Sequence, residues 1–560
     1  MKFKKILLII IVLVIAFLLR TFGLNWDQSQ HLHPDERFMT MVASDINLPK
    51  NLSDYFNTKK SSFNPANHNY GFYAYGTFPL LLTKTIALLL SLNSYGQIFL
   101  VGRVLSAVFD TGIILVLYFL CKLLKLNQKT SLIVCFFYCL TVFPIQLSHF
   151  FTVDTFTVFF STLSIFLFLK YLKDFNKIFL IFSGIVFGIS LSCKISLIIT
   201  LPLFLLFLFF KSAKLKRIGL PLLFLLSIFL SFRIFQPYAF NGLFQVSPDF
   251  VKNITLANKM VTGDYQYPPN IQWYSTIVLL HPFLNIFFFG LGPLLTLFAV
   301  YGIKKNTKYH FILLFISIIF IYQGIQLAKY MRYFYPIYPF LILFAGIGFD
   351  SFFKKIFLKK FILLIILFGT FIFLNIYYYP HSRIKASDWI CQNLPLNSKI
   401  SFEYWDDPLP INSDKCHSSN KYNLIQLDIS SADTSPKWQA INNDLDRLDY
   451  IILSSNRFWA SISKNSKNFP NTSKFYQDLF ADKLNFKKVK TFYSYPGLSI
   501  PFLKKCFLIG PSAYPANNSF FEIDGSCAYP GIYIRDNWAE ESFTVYDHPQ
   551  VIIFKKDKKL

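Results

Sequence analysis

The sequence predicts an α-helical polytopic membrane protein of about eleven spans, followed by an external α/β domain. Three observations carry that reading. Apolar runs of near-spanning length recur through the first 380 residues, lysine-rich clusters fall at every second connection between them, and the composition turns polar and mixed beyond that point.

The first run extends from Ile6 to Leu24 behind the basic start Met1-Lys2-Phe3-Lys4-Lys5, with Arg20 its only charge. It is long enough to cross a bilayer and no Ala-x-Ala-like site follows it, so it reads as a retained helix with a cytoplasmic N-terminus. Further runs lie at 99–121, 131–148, 153–169, 178–193, 195–210, 218–235, 276–303, 310–328, 333–350 and 361–379. The clusters around Lys122, Lys170, Lys211, Lys304 and Lys354 are cytoplasmic by the positive-inside rule. The stretch Phe78–Leu92 is short and carries Lys84, and counting it as a span would put every later cluster outside. It therefore reads as an interfacial helix within a long first external loop, residues 25–98. An odd number of spans leaves the chain after Tyr379 extracellular or periplasmic, giving a transmembrane domain at 1–380 and an external domain at 381–560 of a plasma-membrane protein.

Hydrophobic residues make up 54% of the chain and aromatics 19%, which agrees with a membrane protein. The net charge of +25 lies largely in the cytoplasmic loops, where anionic membrane lipids can pair with it, so it does not imply a nucleic-acid partner. From His381 onward, Lys399–Tyr404, Leu448–Leu453, Val489–Tyr493 and Val551–Phe554 read as strands, while Ala386–Leu394 and Trp438–Arg447 have helical spacing. Cys121, Cys135, Cys139 and Cys193 lie in or beside spans and read as small buried hydrophobes. Four more cysteines lie in the external domain, where the pairs closing the shortest loops are Cys391–Cys416 and Cys506–Cys527.

The residues that carry chemistry gather at external helix ends. His31-Leu32-His33-Pro34-Asp35-Glu36 places adjacent carboxylates at a membrane surface. Pro34 and the two acids also suit a plain helix start, since proline fits the first position and acids complement the helix dipole. The two readings coexist, because a helix start holds a carboxylate rigidly. The segment Ser148-His149-Phe150-Phe151-Thr152-Val153-Asp154 brings a histidine and a third acid to the same side. Arg103, Lys194, Lys329 and Arg332 complete a basic ring; each alone also suits a snorkelling cation, and together they suit an anionic lipid phosphate facing a general base. Asp110, inside the second run, reads as a polar helix contact rather than a proton relay.

The His-Pro-Asp-Glu loop, the Ser148-His149-Phe150…Asp154 segment and Lys329-Tyr330-Met331-Arg332-Tyr333…Pro336…Tyr338-Pro339 resemble the polyprenyl-phosphate-dependent glycosyltransferases of the GT-C fold. Within them the chain is most similar to glycosyltransferase family 39, the protein O-mannosyltransferase and aminoarabinose transferase branch. The resemblance covers residues 1–380 and implies inverting transfer from a polyprenyl-phosphate-linked sugar to a protein, lipid or glycan acceptor. It assigns Asp35 as the base that takes the acceptor's proton, with Glu36 and Asp154 as the further acids. Lys329 and Arg332 are then the leading phosphate ligands, with Arg103 and Lys194 behind them, and His33 and His149 lie beside the site. Some relatives place a divalent metal near the donor phosphate; His31, His33, His68 and His149 are candidate ligands, but their spacing matches no strong metal signature. The rival class is a transporter or lipid flippase, which would show ionisable residues at the membrane midplane and paired interrupted helices. Here the ionisable groups collect at helix ends instead.

Overall fold

The computed structural model describes residues 2–211, 218–265, 267–353, 356–417, 421–510, 531–536 and 539–557. The chain forms two compact units: Met1–Leu24, His33–Tyr265 and Val278–Leu367 make the first, and Asn25–Leu32, Gln266–Ile277 and Phe368–Leu560 make the second.

The first unit is helical, and a helix or bent helix pair falls on each of the apolar runs of the sequence. Among the described residues, Tyr95–Leu123, Val153–Asp174, Met331–Phe352 and Phe357–Asn393 are long and apolar enough to cross a membrane alone. Two bent pairs raise that number from 4 to at most 6. In the first pair, Gln128–Leu140 and Val142–Ser148 meet at 53°. Pro144 has no N–H to offer the Leu140 carbonyl, so the helix breaks there. The second pair, Leu280–Gly290 and Pro293–Lys305, bends by 119° ahead of Pro293. The other apolar helices are 10–17 residues long, shorter than a straight crossing needs, so the expected count of about eleven exceeds the helices that pass by length.

Within the expected first loop, Pro34–Asp45 and Thr77–Leu89 are helical. They bury Met39, Val42, Ala43, Leu80 and Ala87 with Ile98 and Val101 of the helix Tyr95–Leu123. Lys84, the charge that argued against a span here, is buried and donates to the Ser44 carbonyl at 3.1 Å.

The second unit contains two sheets. Strands β1 (Lys399–Glu403), β2 (Asn423–Leu427), β3 (Tyr450–Leu453), β4 (Phe486–Phe492) and β8 (Val551–Lys556) form one in the order β2-β1-β3-β8-β4. β1 runs parallel to β2 and β3, and β8 runs antiparallel to β3 and β4. β5 (Gly497–Ile500), β6 (Lys505–Gly510) and β7 (Gly531–Arg535) form the other. The larger sheet packs the alternate residues Ile451 and Leu453 into one core with Ile441, Phe475 and Tyr476, and Tyr450 and Ile452 into another with Ala386 and Ile390. Cys391 and Cys416 form the expected disulfide, and Cys121, Cys135, Cys139 and Cys193 are free and buried. Cys527 lies outside the described residues.

Candidate active site

Asp35 is the second residue of the helix Pro34–Asp45. Pro34 takes the first helical position, and the Nδ1 of His33 caps the helix by accepting the Asp35 backbone N–H at 3.1 Å. The His33 ring lies against Phe150 with centroids 4.7 Å apart. The carboxylate so fixed forms an ion pair with Arg332 and accepts a hydrogen bond from Tyr75. Burial disfavours its charge, but Arg332, with His33 and Tyr75 beside it, more than offsets burial and holds the carboxyl below the ordinary carboxylate range.

Glu36, one residue on, has another surrounding. Its oxygens accept both arms of the Arg103 guanidinium at 2.8 and 2.7 Å, and Oε1 also accepts the Phe151 backbone N–H at 2.7 Å. Arg103 further donates to the Leu24 carbonyl at 2.6 Å, and both charges are fully buried. This pair ties the Asp35 helix to Tyr95–Leu123 and to the turn that precedes Asp154. A close backbone approach makes room for it: a Cβ on Gly102 would lie 2.1 Å from the Phe151 ring.

Asp154 stands in the first turn of Val153–Asp174 and pairs with Lys194 at 2.8 Å. The Lys194 ammonium also lies 4.6 Å from the centre of the Tyr333 ring. Lys194 follows a helix end held by Gly76, whose N–H donates to the Cys193 carbonyl at 3.0 Å and whose position leaves no space for a Cβ. A narrow cleft is lined by Asp154, Lys194, Arg332 and Tyr333 together with Thr157 and Gln323. Arg332 reaches this cleft from between Tyr330 and Tyr333, its guanidinium carbon 5.0 and 5.7 Å from their ring centres. One face of the site thus carries two cations, and Arg332 links it to Asp35.

The remaining expected residues stand elsewhere. Arg103 and Lys329 are not among the cleft's lining residues. Lys329 donates to the Leu327 carbonyl at 3.1 Å, and burial lowers the pKa of its ammonium. His149 is held between the Ile145 and Phe22 carbonyls at 2.8 and 3.0 Å, His68 contacts the Ser62 carbonyl at 2.8 Å, and His31 belongs to the second unit. Among the described residues, no group of three or more His, Cys, Asp or Glu side chains is placed to hold a metal ion.

Sequence reasoning did not single out Tyr75, Thr157 or Gln323. Gln323 had a signal, an amide that with Gln326 interrupts an apolar run, and Thr157 lies one helical turn from Asp154. Tyr75 sits in an aromatic loop and had none.

A family model described as dolichyl-phosphate-mannose-protein mannosyltransferase matches residues 79–240. No curated protein matches the chain. Among solved structures, the Archaeoglobus fulgidus oligosaccharyltransferase tethered with an acceptor peptide is similar at 13% identity and a TM-score of 0.51, over 84% of this chain and 72% of that one. The archaeal oligosaccharyltransferase AglB from the same organism, in complex with an inhibitory peptide and a dolichol-phosphate, has 12% identity and a TM-score of 0.50 over 85% and 72%. ArnT from Cupriavidus metallidurans bound to undecaprenyl phosphate has 12% identity and a TM-score of 0.42 over 81% and 94%. The chain has the GT-C fold. The family model covers less than a third of the chain, and the likeness to the solved structures shows the fold.

Proposed function

We propose that this chain is a glycosyltransferase that moves a sugar from a polyprenyl-phosphate donor to an acceptor hydroxyl with inversion, on the external membrane face, and that Asp35 is the general base. The observation that carries the reading is the position of Arg332, which pairs with Asp35 and lines the same cleft as Lys194. The acceptor oxygen forms a bond to the anomeric carbon while its proton passes to Asp35. The bond from that carbon to the phosphate oxygen breaks, and the electron pair leaves with the lipid phosphate. The transition state is oxocarbenium-like, and the phosphate gains charge as it departs, so fixed cations favour it over the bound donor. Lys194 and Arg332 are the cations assigned to it, with Lys329 a neighbour of Arg332 in the chain. Glu36 and Arg103 hold the Asp35 helix in place. No step is assigned to a metal.

An incoming phosphate competes with Asp35 for Arg332. As the guanidinium turns to the donor, Asp35 loses the partner that depresses its pKa and becomes a better proton acceptor.

The test is a comparison of envelope glycans and glycolipids in a deletion strain complemented with wild type or Asp35→Asn. Removing one general base costs about 10²- to 10⁴-fold in rate, so the variant at equal protein abundance should leave the glycan missing. Full restoration by Asp35→Asn would end its assignment as base.

A further inference from the structure

Asp110 and Arg20 lie outside the cleft, and the proposed chemistry does not use them. Both are fully buried, on the helices Tyr95–Leu123 and Lys2–Thr21, and they form an ion pair. Arg20 also donates to the Ala16, Cys139 and Tyr138 carbonyls, each at 3.2 Å. Two tyrosine hydroxyls also donate to Asp110 Oδ1. One is Tyr138, at 2.8 Å, from the helix Gln128–Leu140. The other is Tyr335, from the 3₁₀ segment Met331–Ile337, and the two hydroxyls are 3.1 Å apart.

That segment also carries Arg332. In a 3₁₀ helix residues three apart stack on one side, about 6 Å apart along the axis, so Arg332 and Tyr335 share a side of the segment. Pro336 within it offers no N–H, which leaves the turn with fewer backbone bonds of its own. A buried anion that three helices hold in place therefore grips the segment one turn from the cleft's guanidinium.

We propose that Asp110, held by Arg20, is a positioning residue for donor binding: through the Tyr335 hydroxyl it sets the place of Arg332 and Tyr333 in the cleft. This rests on the reading of Arg332 as a ligand of the donor phosphate. The alternative is that the cluster only glues helices together, as buried polar groups in membrane bundles do.

Tyr335→Phe and Tyr138→Phe separate the two. Each removes one hydroxyl from Asp110, but only Tyr335 lies on the segment with Arg332, and in Tyr138→Phe Tyr335 keeps its own bond. Replacing Asp110 itself leaves Arg20 buried without its anion and risks misfolding. The readout is undecaprenyl-phosphate affinity of the purified full-length protein, with thermal unfolding recorded beside it. Tyr335→Phe should weaken binding about 5-fold or more, Tyr138→Phe should leave it within about 2-fold, and the Tyr335→Phe effect should vanish in an Arg332→Ala background. Equal losses in both Phe variants, or an additive Tyr335→Phe effect without Arg332, would overturn the proposal and leave helix packing as the role. Wild-type affinity in Tyr335→Phe while Arg332→Ala binds weakly would overturn it and spare the Arg332 reading. Wild-type affinity in Arg332→Ala would overturn both.

Discussion

The arrangement of Asp35 and Arg332 makes the pH dependence of catalysis a signature of donor binding. Burial opposes the Asp35 charge, but Arg332 holds the carboxyl below the ordinary range, so the group is ionised well into acid in the free protein. The acid limb of kcat/KM reports the free protein and should lie below the range of an ordinary carboxylate. The acid limb of kcat reports the donor complex, in which the phosphate draws on Arg332, and should lie at higher pH. Arg332→Gln removes the depressing charge and should move the kcat/KM limb upward toward the kcat limb. Rate profiles of the two proteins across acid buffers check this, and coincident limbs in the wild type would remove the competition between phosphate and carboxylate for Arg332. Glu36 cannot be exchanged for Asp35 in this role without loss elsewhere, because its oxygens already hold Arg103 and the Phe151 N–H.

At the scale of elements, two joints are open to test. Gly102 lets the helix Tyr95–Leu123 approach the turn at Phe151, and a methyl there meets the ring at 2.1 Å. Gly102→Ala should cost about 1–3 kcal/mol as overpacking, read in thermal unfolding, with activity falling because Glu36, which holds the Asp35 helix, bonds to both elements forced apart and Asp154 follows the displaced turn. In the second unit, His548 is buried with Nδ1 at 2.5 Å from Asp547, whose other oxygen accepts the Tyr377 hydroxyl at 3.0 Å. Burial opposes the imidazolium, but Asp547 and the more distant Asp536 outweigh it and push His548 up to about 9. A raised histidine stabilises fully below its unfolded pKa near 6.5 and loses that contribution as pH rises through about 9. The contribution is on the order of 3 kcal/mol, and His548→Gln should flatten the fall in melting temperature between pH 7 and 10. The sequence made these elements unequally readable. Helices were legible because apolar run length reports them directly, and β1, β3, β4 and β8 because their β-branched and aromatic residues are concentrated. β2 exposes most of its residues and β5 holds a glycine and a serine among its 4 residues, so neither stands out from its surroundings. Asp35, Glu36 and Asp154 were legible as acids at helix starts. Their partners were not: Asp35 and Arg332 are 297 residues apart, and no local pattern reports which cation meets which acid.

For the whole molecule, the placing of charge relative to the apolar runs sets the topology. The alternation of basic loops predicts that a reporter fused after Leu560 is active only outside the cytoplasm and one at Lys125 only inside. A reversed result at either point would break the span count. The central claim, that the cleft takes a polyprenyl phosphate on Lys194 and Arg332, can be tested without knowing the sugar or the acceptor, because every such donor releases the same kind of lipid phosphate. Undecaprenyl-phosphate binding to the purified protein should be measured for wild type, Lys194→Ala, Arg332→Ala and the double variant. Hydrogen bonds to a charged group contribute about 1.5–3 kcal/mol each, so each single variant should bind about 10-fold or more weakly and the double variant should show no saturable binding. Equal affinity in the wild type and the double variant would contradict the account.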